Sequence, residues 1–260
     1  MKTYKQHYNE CKASYNSNMS VYDVSIHLNQ ISYDMGVFES VRNEVSKRLN
    51  NLHNCIEDKW AIKLDKIKDI KELEIFCQQV MPQIEEKYFG CYLSVDFVHA
   101  YKVKTNATNE SSWSWHYDDC PKECIKFAIY LNDTDESNGC MQYMSDTGNR
   151  VPVVGTYRLD PSAIKGFPPP VFPKTRIPQH VIEAIVNRGG KINNIVGKAG
   201  TNFVFTPNIM HRGTIPTSDK DSREAIFFFL RPTSTKREQY ISDATCTFTQ
   251  KQNVKKYILD

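Results

Sequence analysis

His116 and Asp118 stand two residues apart in the stretch Trp113-Ser114-Trp115-His116-Tyr117-Asp118-Asp119. On an extended chain, residues i and i+2 point to the same side. An imidazole and a carboxylate are therefore aimed at one point. They can supply two of the three ligands of a facial triad, two His and one carboxylate, the donor set of non-haem Fe(II). The third must be a distant histidine, and His211, in Asn208-Ile209-Met210-His211-Arg212-Gly213-Thr214, is the candidate. Twelve residues further on, Arg223 opens the apolar run Glu224-Ala225-Ile226-Phe227-Phe228-Phe229-Leu230. A lone His-x-Asp arises often by chance; followed by a distant His and an Arg that opens an apolar strand, it is much more specific. Asp119 is an adjacent alternative, but on a strand it faces the other side.

The chain must bring these residues together. Residues 1–20 are polar and of weak periodicity and read as a loose arm. Val37-Phe38, Val41, Val45 and Leu49 mark an amphipathic helix over 36–54. Leu73, Phe76, Cys77, Val80 and Ile84 mark a second over 70–87, which Pro82 should bend or restart. From residue 91 the period becomes that of strands. Leu93, Val95 and Phe97 alternate with Ser94 and Asp96; Trp113 to Asp118 alternates again; Ile125–Leu131, Cys140–Met144, Phe203–Thr206 and Glu224–Leu230 follow. Asn132-Asp133-Thr134-Asp135-Glu136 and Gly197–Gly200 are turns between them. Such short strands with turn signals describe a sandwich or barrel. Residues 161–190 differ: six prolines from Pro161 to Pro178 bar a central strand, and Gln179–Arg188 reads as a helix closed by Gly189-Gly190. This insertion is either a substrate lid ending near Gly190 or a surface excursion. The tail 233–260 reads as a solvated end.

At 260 residues the chain suits one domain, 1–260: a helical front over 1–90, a β core over 91–232, and the tail. A composition 40% hydrophobic and 12% aromatic can fill a core. A formal charge of +3, with no clustered basic face, does not point to nucleic acid. No apolar run of roughly 18 residues exists to span a membrane, and the N-terminus has no secretory pattern. Eight scattered cysteines read as free thiols in a reducing cytoplasm. Cys120-Pro121-Lys122-Glu123-Cys124 lacks the second ligand pair a zinc site needs.

The metal motif resembles that of the iron(II)/2-oxoglutarate-dependent oxygenases, and within them the phytanoyl-CoA dioxygenase-like branch. Tyr130-Leu131-Asn132-Asp133, Ser137-Asn138-Gly139-Cys140-Met141, Gly200-Thr201-Asn202-Phe203 and His211-Arg212-Gly213-Thr214 through Arg223 carry the likeness, with Asn202 where an Asp is usual. It covers 92–232, apart from an unmatched middle. After Asn138-Gly139 the chain departs from the branch's Pro-Gly-Ser-His turn and reads Met144-Ser145-Asp146-Thr147-Gly148-Asn149. The resemblance implies a double-stranded β-helix (a jelly roll, cupin-like) with helices against the larger sheet. It implies Fe(II) on His116, Asp118 and His211, with 2-oxoglutarate and O2 as cosubstrates, and a C–H bond of a small molecule hydroxylated, desaturated or cyclised as succinate and CO2 form. Arg223 would hold the remote carboxylate of 2-oxoglutarate by a two-bonded fork that Lys cannot make; Arg212 and Arg231 are its rivals. Thr214 would bond the same carboxylate, and Tyr130 would reach the cosubstrate unless it is an ordinary core tyrosine. Because Asp118 is present, hydroxylation is favoured over halogenation, which needs a small residue there. A zinc-type barrel metalloenzyme, a protein- or nucleotide-directed hydroxylase, and an inactive binding barrel are the alternatives.

Overall fold

A computed structural model of the chain describes residues 4–15, 25–50, 59–62, 68–103, 111–118, 120–121, 123–148, 150–151, 175–218, 222–242 and 244. Its elements in order are α1 (Tyr4–Tyr15), β1 (Ile26–Leu28), α2 (Met35–Asn50), β2 (Lys59–Ile62), α3 (Lys71–Ile84), β3 (Tyr92–Val103), β4 (Ile125–Tyr130), β5 (Met141–Ser145), α4 (Gln179–Asn187), β6 (Lys191–Ile195), β7 (Asn202–Phe205), β8 (His211–Gly213) and β9 (Glu224–Thr233). One antiparallel sheet runs β1-β7-β4-β9-β3-β2; a smaller one runs β6-β5-β8. This is the jelly-roll arrangement, mainly β with flanking helices.

Period-two alternation sorts each central strand between two cores. On β4 and β9, Ile125, Phe127, Ile129, Ile226, Phe228 and Leu230 face outward and are covered by apolar stripes of the three helices: Tyr8 and Cys11, Phe38 to Leu49, and Leu73 to Ile84. Ala128, Tyr130, Ala225, Phe227, Phe203 and Phe205 face inward, toward Met141 and Ile195 of the small sheet. The inward face of β4 also carries Lys126, a cation inside the barrel.

Two expectations change. The N-terminal segment is not a loose arm over its described part: α1 buries Tyr4, Tyr8 and Cys11 at helical spacing, and the Tyr8 hydroxyl donates to the Phe89 carbonyl at 2.8 Å. Leu93, Val95 and Phe97 do not share a face. The β3–β9 register slips between Val95 and Phe97, a bulge that sends Phe97, His99 and Tyr101 inward, opposite Phe229, Phe227 and Ala225. Pro82 lies inside α3, which continues to Ile84 and then widens into a π turn, Glu85–Phe89. The second half of the expected insertion is a helix, α4, and Gly189 at φ 91° takes the left-handed cap position. Residues 161–174, Asp119 and the tail beyond 244 lie outside the described residues.

Glu85 is buried in that π turn, where its carboxylate accepts from the Leu93 N–H at 3.0 Å and the Tyr240 hydroxyl at 3.4 Å. Burial pushes its carboxyl up to about 7 from an ordinary 4.5. Between those values the folded chain keeps a proton that the unfolded chain has lost, so stability falls as pH rises through this window. Glu85→Gln keeps the acceptor oxygen and loses the charge. Thermal denaturation should find the variant gaining on the wild type between pH 5 and pH 8; a constant difference would contradict this.

Candidate metal centre

His116 is not part of a long strand, as the alternation around it suggested. A single 3-10 turn, Ser111–Trp113, precedes it, and it lies in a short extended piece bridged on both edges. On one edge, His116 and His211 exchange backbone hydrogen bonds, His116 N–H to His211 O at 3.0 Å and His211 N–H to His116 O at 2.8 Å. On the other, Ile177 N–H donates to Trp115 O at 2.8 Å and Tyr117 N–H to Thr175 O at 3.3 Å. The piece thus extends the small sheet beyond β8. Beneath it, Trp115, Tyr117, Met144 and Met210 pack with Ile177, Val181 and Ile182, so α4 supports the ligand segment. Asp118 N–H is held by Pro207 O at 2.9 Å, just before the chain reaches His211.

One ligand atom from each of His116, Asp118 and His211 lies within 4.8 Å of the others. His211 Nε2 is 3.4 Å from Asp118 Oδ2, and His116 Nε2 is 4.0 Å from Asp118 Oδ1. Each ring sets its Nδ1 against a carbonyl two residues earlier, Ser114 O and Ile209 O, both at 2.8 Å. A carbonyl can only accept, so Nδ1 carries the proton and the Nε2 lone pair faces the cluster. Burial, and after it the neighbouring His211, push His116 well below the usual imidazole range, which keeps that lone pair free. The donor set fits a divalent transition metal with open positions. The cysteines form no such group among the described residues, and Cys120 and Cys124 are free thiols.

Lys126 donates to Asp118 Oδ2 at 2.6 Å, with its ammonium 4.1 Å from the centre of the Phe229 ring. Burial opposes charge on Asp118, but Lys126 and the histidines outweigh it and hold the carboxyl well below the usual range. Nothing in the sequence assigned Lys126 a role; only its parity on β4 could have. Lys126→Met should cost about 3 kcal/mol without metal, the low end for breaking a buried pair because Asp118 keeps a 22% side-chain exposure. Denaturant unfolding with and without Ni(II) checks this, since added metal should restore more stability to the variant than it adds to the wild type.

Arg223 shares one cavity of about 140 Å³ with the triad. It is 1% exposed, yet Nε and Nη1 have no partner among the described residues. Nη2 reaches the Tyr101 hydroxyl at 3.4 Å, and the Tyr101 and Tyr130 rings flank the guanidinium. The acidic turn exists to place this residue. Asn138 O accepts the Arg223 N–H at 2.8 Å; Asn132 bonds Ser222 O at 3.1 Å and the Glu224 N–H at 2.8 Å. At Gly213 a Cβ would come within 2.7 Å of Trp113 and 3.3 Å of Arg223 Nη2, so only glycine lets β8 pass.

The remaining candidates are committed elsewhere. Thr214 donates its hydroxyl to Cys140 O at 3.0 Å and does not line the cavity. The Tyr130 hydroxyl donates to Ile195 O and accepts from Met141 N–H, each at 3.1 Å, and its ring flanks Arg223. Tyr101, hidden from sequence reasoning by the β3 bulge, is the tyrosine whose hydroxyl touches Arg223. Arg231 is paired with Asp96, outside this cavity. Arg212, next to His211 on β8, turns its side chain to the other face of the strand, where its Nε donates to Gln142 Oε1 at 2.8 Å and its guanidinium lies 4.8 Å from the centre of the Trp115 ring. Asn202 uses both ends of its amide on Ile31, accepting its N–H at 3.4 Å and donating to its carbonyl at 3.1 Å, a neutral pairing that suits its buried position.

Several solved structures share this architecture. The non-heme alpha ketoglutarate dependent epimerase SnoN from nogalamycin biosynthesis matches with a TM-score of 0.53 at 12% identity, over 86% of this chain and 82% of its own. HygX from Streptomyces hygroscopicus, with nickel and 2-oxoglutarate bound, gives 0.51 at 14% identity over 83% and 86%. EctD from S. alaskensis, with 2-oxoglutarate and 5-hydroxyectoine, gives 0.54 at 10% identity over 91% and 81%. This is the fold of the iron- and 2-oxoglutarate-dependent enzymes. No family sequence model and no curated protein sequence matches the chain, so the likeness to these enzymes lies in the backbone fold. Among the described residues no helix is long and apolar enough to cross a membrane.

Proposed function

We propose that the chain is a non-haem Fe(II)- and 2-oxoglutarate-dependent dioxygenase that hydroxylates a C–H bond of a small molecule, with residues 1–260 working as one catalytic unit. The observation that carries this reading is Arg223: a buried cation with two donors unpartnered among the described residues, lining the same cavity as the triad. A buried guanidinium is costly unless it is paired, and a dicarboxylate anchored at the metal would bring it the missing carboxylate. His116, Asp118 and His211 would hold the ion, and Arg223 with the Tyr101 hydroxyl would orient the cosubstrate. The bound iron would supply O2 activation coupled to oxidative decarboxylation of 2-oxoglutarate. The chain's own part is to fix the two imidazole lone pairs, to hold Asp118 against Lys126, and to keep water from the reacting centre with Phe227, Phe229 and Met141. The retained carboxylate of Asp118 supports oxygen rather than halogen transfer.

The His-x-Asp…His…Arg spacing supports a place in the phytanoyl-CoA dioxygenase-like branch. HygX with hygromycin B and SnoN with nogalamycin RO are small-molecule complexes, which supports a small-molecule substrate here. The free thiols among the described cysteines suit a reducing compartment such as the cytoplasm. Zinc accepts the same three donors, but a zinc hydrolase has no use for Arg223. The test is succinate formation with Fe(II), 2-oxoglutarate and O2. Turnover should require all three and should rise with substrate in a metabolite screen; a protein that forms no succinate under any of these conditions is not this enzyme.

A further inference from the structure

The dioxygenase reading leaves the substrate open, but the charges facing the cavity narrow it. Arg212 turns to the other face of β8, so the charged side chains that face the chamber are Asp118, Lys126 and Arg223. A dication, one carboxylate ligand, a dianionic cosubstrate and Arg223 would sum to zero. Lys126 adds one positive charge. With the metal and 2-oxoglutarate in place, the chamber would hold one cation in excess, and it sits beside the metal ligand.

Lys126 is confined by its strand neighbours. On the inward face of β4 it stands opposite Phe229 of β9 and Phe205 of β7. Its ammonium lies 4.1 Å from the centre of the Phe229 ring and 5.8 Å from that of Phe205. Phe97 stacks on Phe229 with 3.7 Å between ring centres, which keeps that ring in place. The lysine side chain is 7% exposed. An ammonium has three N–H donors, and among the described residues the only oxygen Lys126 reaches is Asp118 Oδ2. Ring faces attract the charge but are weak acceptors. A bound metal would draw on the same carboxylate and leave Lys126 less of its one partner. Phe229 is six residues beyond Arg223 on β9, about 20 Å of strand. Lys126 and Arg223 thus stand toward opposite ends of the chamber. A cosubstrate with its outer carboxylate on Arg223 leaves the Lys126 end for the substrate.

We propose that the substrate is a small organic acid, a molecule with one carboxylate or similar oxyanion, and that Lys126 receives that group beside the metal. This rests on the dioxygenase reading. A neutral apolar substrate seated there would cover a nearly buried ammonium and leave two of its donors unmet, which is unfavourable. A cationic substrate would meet a field of its own sign. Asp118 does not bar an acid, because the dication it would hold outweighs its charge. Placement also fits: Lys126 touches a metal ligand, so an acid group on it would leave the adjoining carbons close to the metal.

A thermal-shift screen on the full chain loaded with Ni(II) and 2-oxoglutarate tests this without turnover, using small organic acids each paired with its primary amide. Stabilising compounds should concentrate among the acids, and the best acid should bind at least tenfold more tightly than its amide. In Ni(II)-loaded Lys126→Met that preference should vanish, while Lys126→Arg should keep most of it. The 2-oxoglutarate-dependent shift should persist in both variants, since Arg223 and the triad are intact. Wild-type stabilisers that include no acid, or acids that do no better than their amides, would overturn the proposal whatever the variants do. So would a Lys126→Met protein that still prefers the acid, or one that loses the 2-oxoglutarate shift, which would put Lys126 on the cosubstrate. Failure of the dioxygenase reading is separate: 2-oxoglutarate would then give no shift on the Ni(II)-loaded wild type.

Discussion

An Arg223→Ala enzyme is expected to need at least a hundredfold more 2-oxoglutarate for half-maximal succinate formation. The cosubstrate is a dianion whose inner end would be held by the metal. Its outer carboxylate would then lie among Tyr101, Tyr130 and Phe227, with Arg223 as the cation beside it. A buried carboxylate deprived of its cation costs about 3–5 kcal/mol. At roughly 1.4 kcal/mol per tenfold, that is two orders of magnitude or more. Arg223→Lys keeps the charge and loses the fork, so it should fall between. The fold should tolerate the alanine, because two of the buried donors of Arg223 have no hydrogen-bond partner among the described residues. Arg231→Ala is the comparison. It breaks the pair with Asp96 outside the cavity and should lower stability while leaving the requirement for 2-oxoglutarate alone. An unchanged requirement in Arg223→Ala would refute the assignment.

The second large effect is on the metal. His116→Ala or His211→Ala should abolish Fe(II) binding, and with it succinate formation, in a protein that still folds. The folding half of this expectation follows from the backbone. The two segments are joined by main-chain bonds, His116 N–H to His211 O and His211 N–H to His116 O, and neither depends on an imidazole. Removing one ring leaves one imidazole and Asp118, with Lys126 still neutralising the carboxylate. Metal content after gel filtration, with circular dichroism for the fold, checks both halves. If both variants retained iron as the wild type does, the triad would be misplaced.

The sequence allowed the triad to be read because its chemistry is local: His116 and Asp118 are two residues apart, and Arg223 opens a strand whose apolar run is plain. Elsewhere the pattern was silent or misleading. The first helix buries two tyrosines and a cysteine among charged and polar residues, a stripe too thin to stand out. Strand β6, Lys191-Ile-Asn-Asn-Ile195, is a mostly exposed edge held by pairing with β5, so its composition carries no strand signal. The bulge at β3 reverses parity in mid-strand, and no residue type announces it. Tyr101 and His99 could therefore not be placed in the cavity. Lys126 was hidden by its own strand, whose other residues are all apolar or aromatic. The piece around His116 is extended only because two distant segments, 175–177 and β8, hold its edges.

Each ligand histidine is oriented by a carbonyl of its own segment, two residues back. The direction of both lone pairs is thus set within three residues of chain, with no contribution from the cavity walls. Those walls, on β3, β4, β5 and β9, are free to vary in size and polarity without turning a ligand away from the ion. Such a separation lets one metal apparatus be kept while the chamber around it is recast for a different guest. A barrel built this way can diverge far in sequence without having to reinvent its reactive corner.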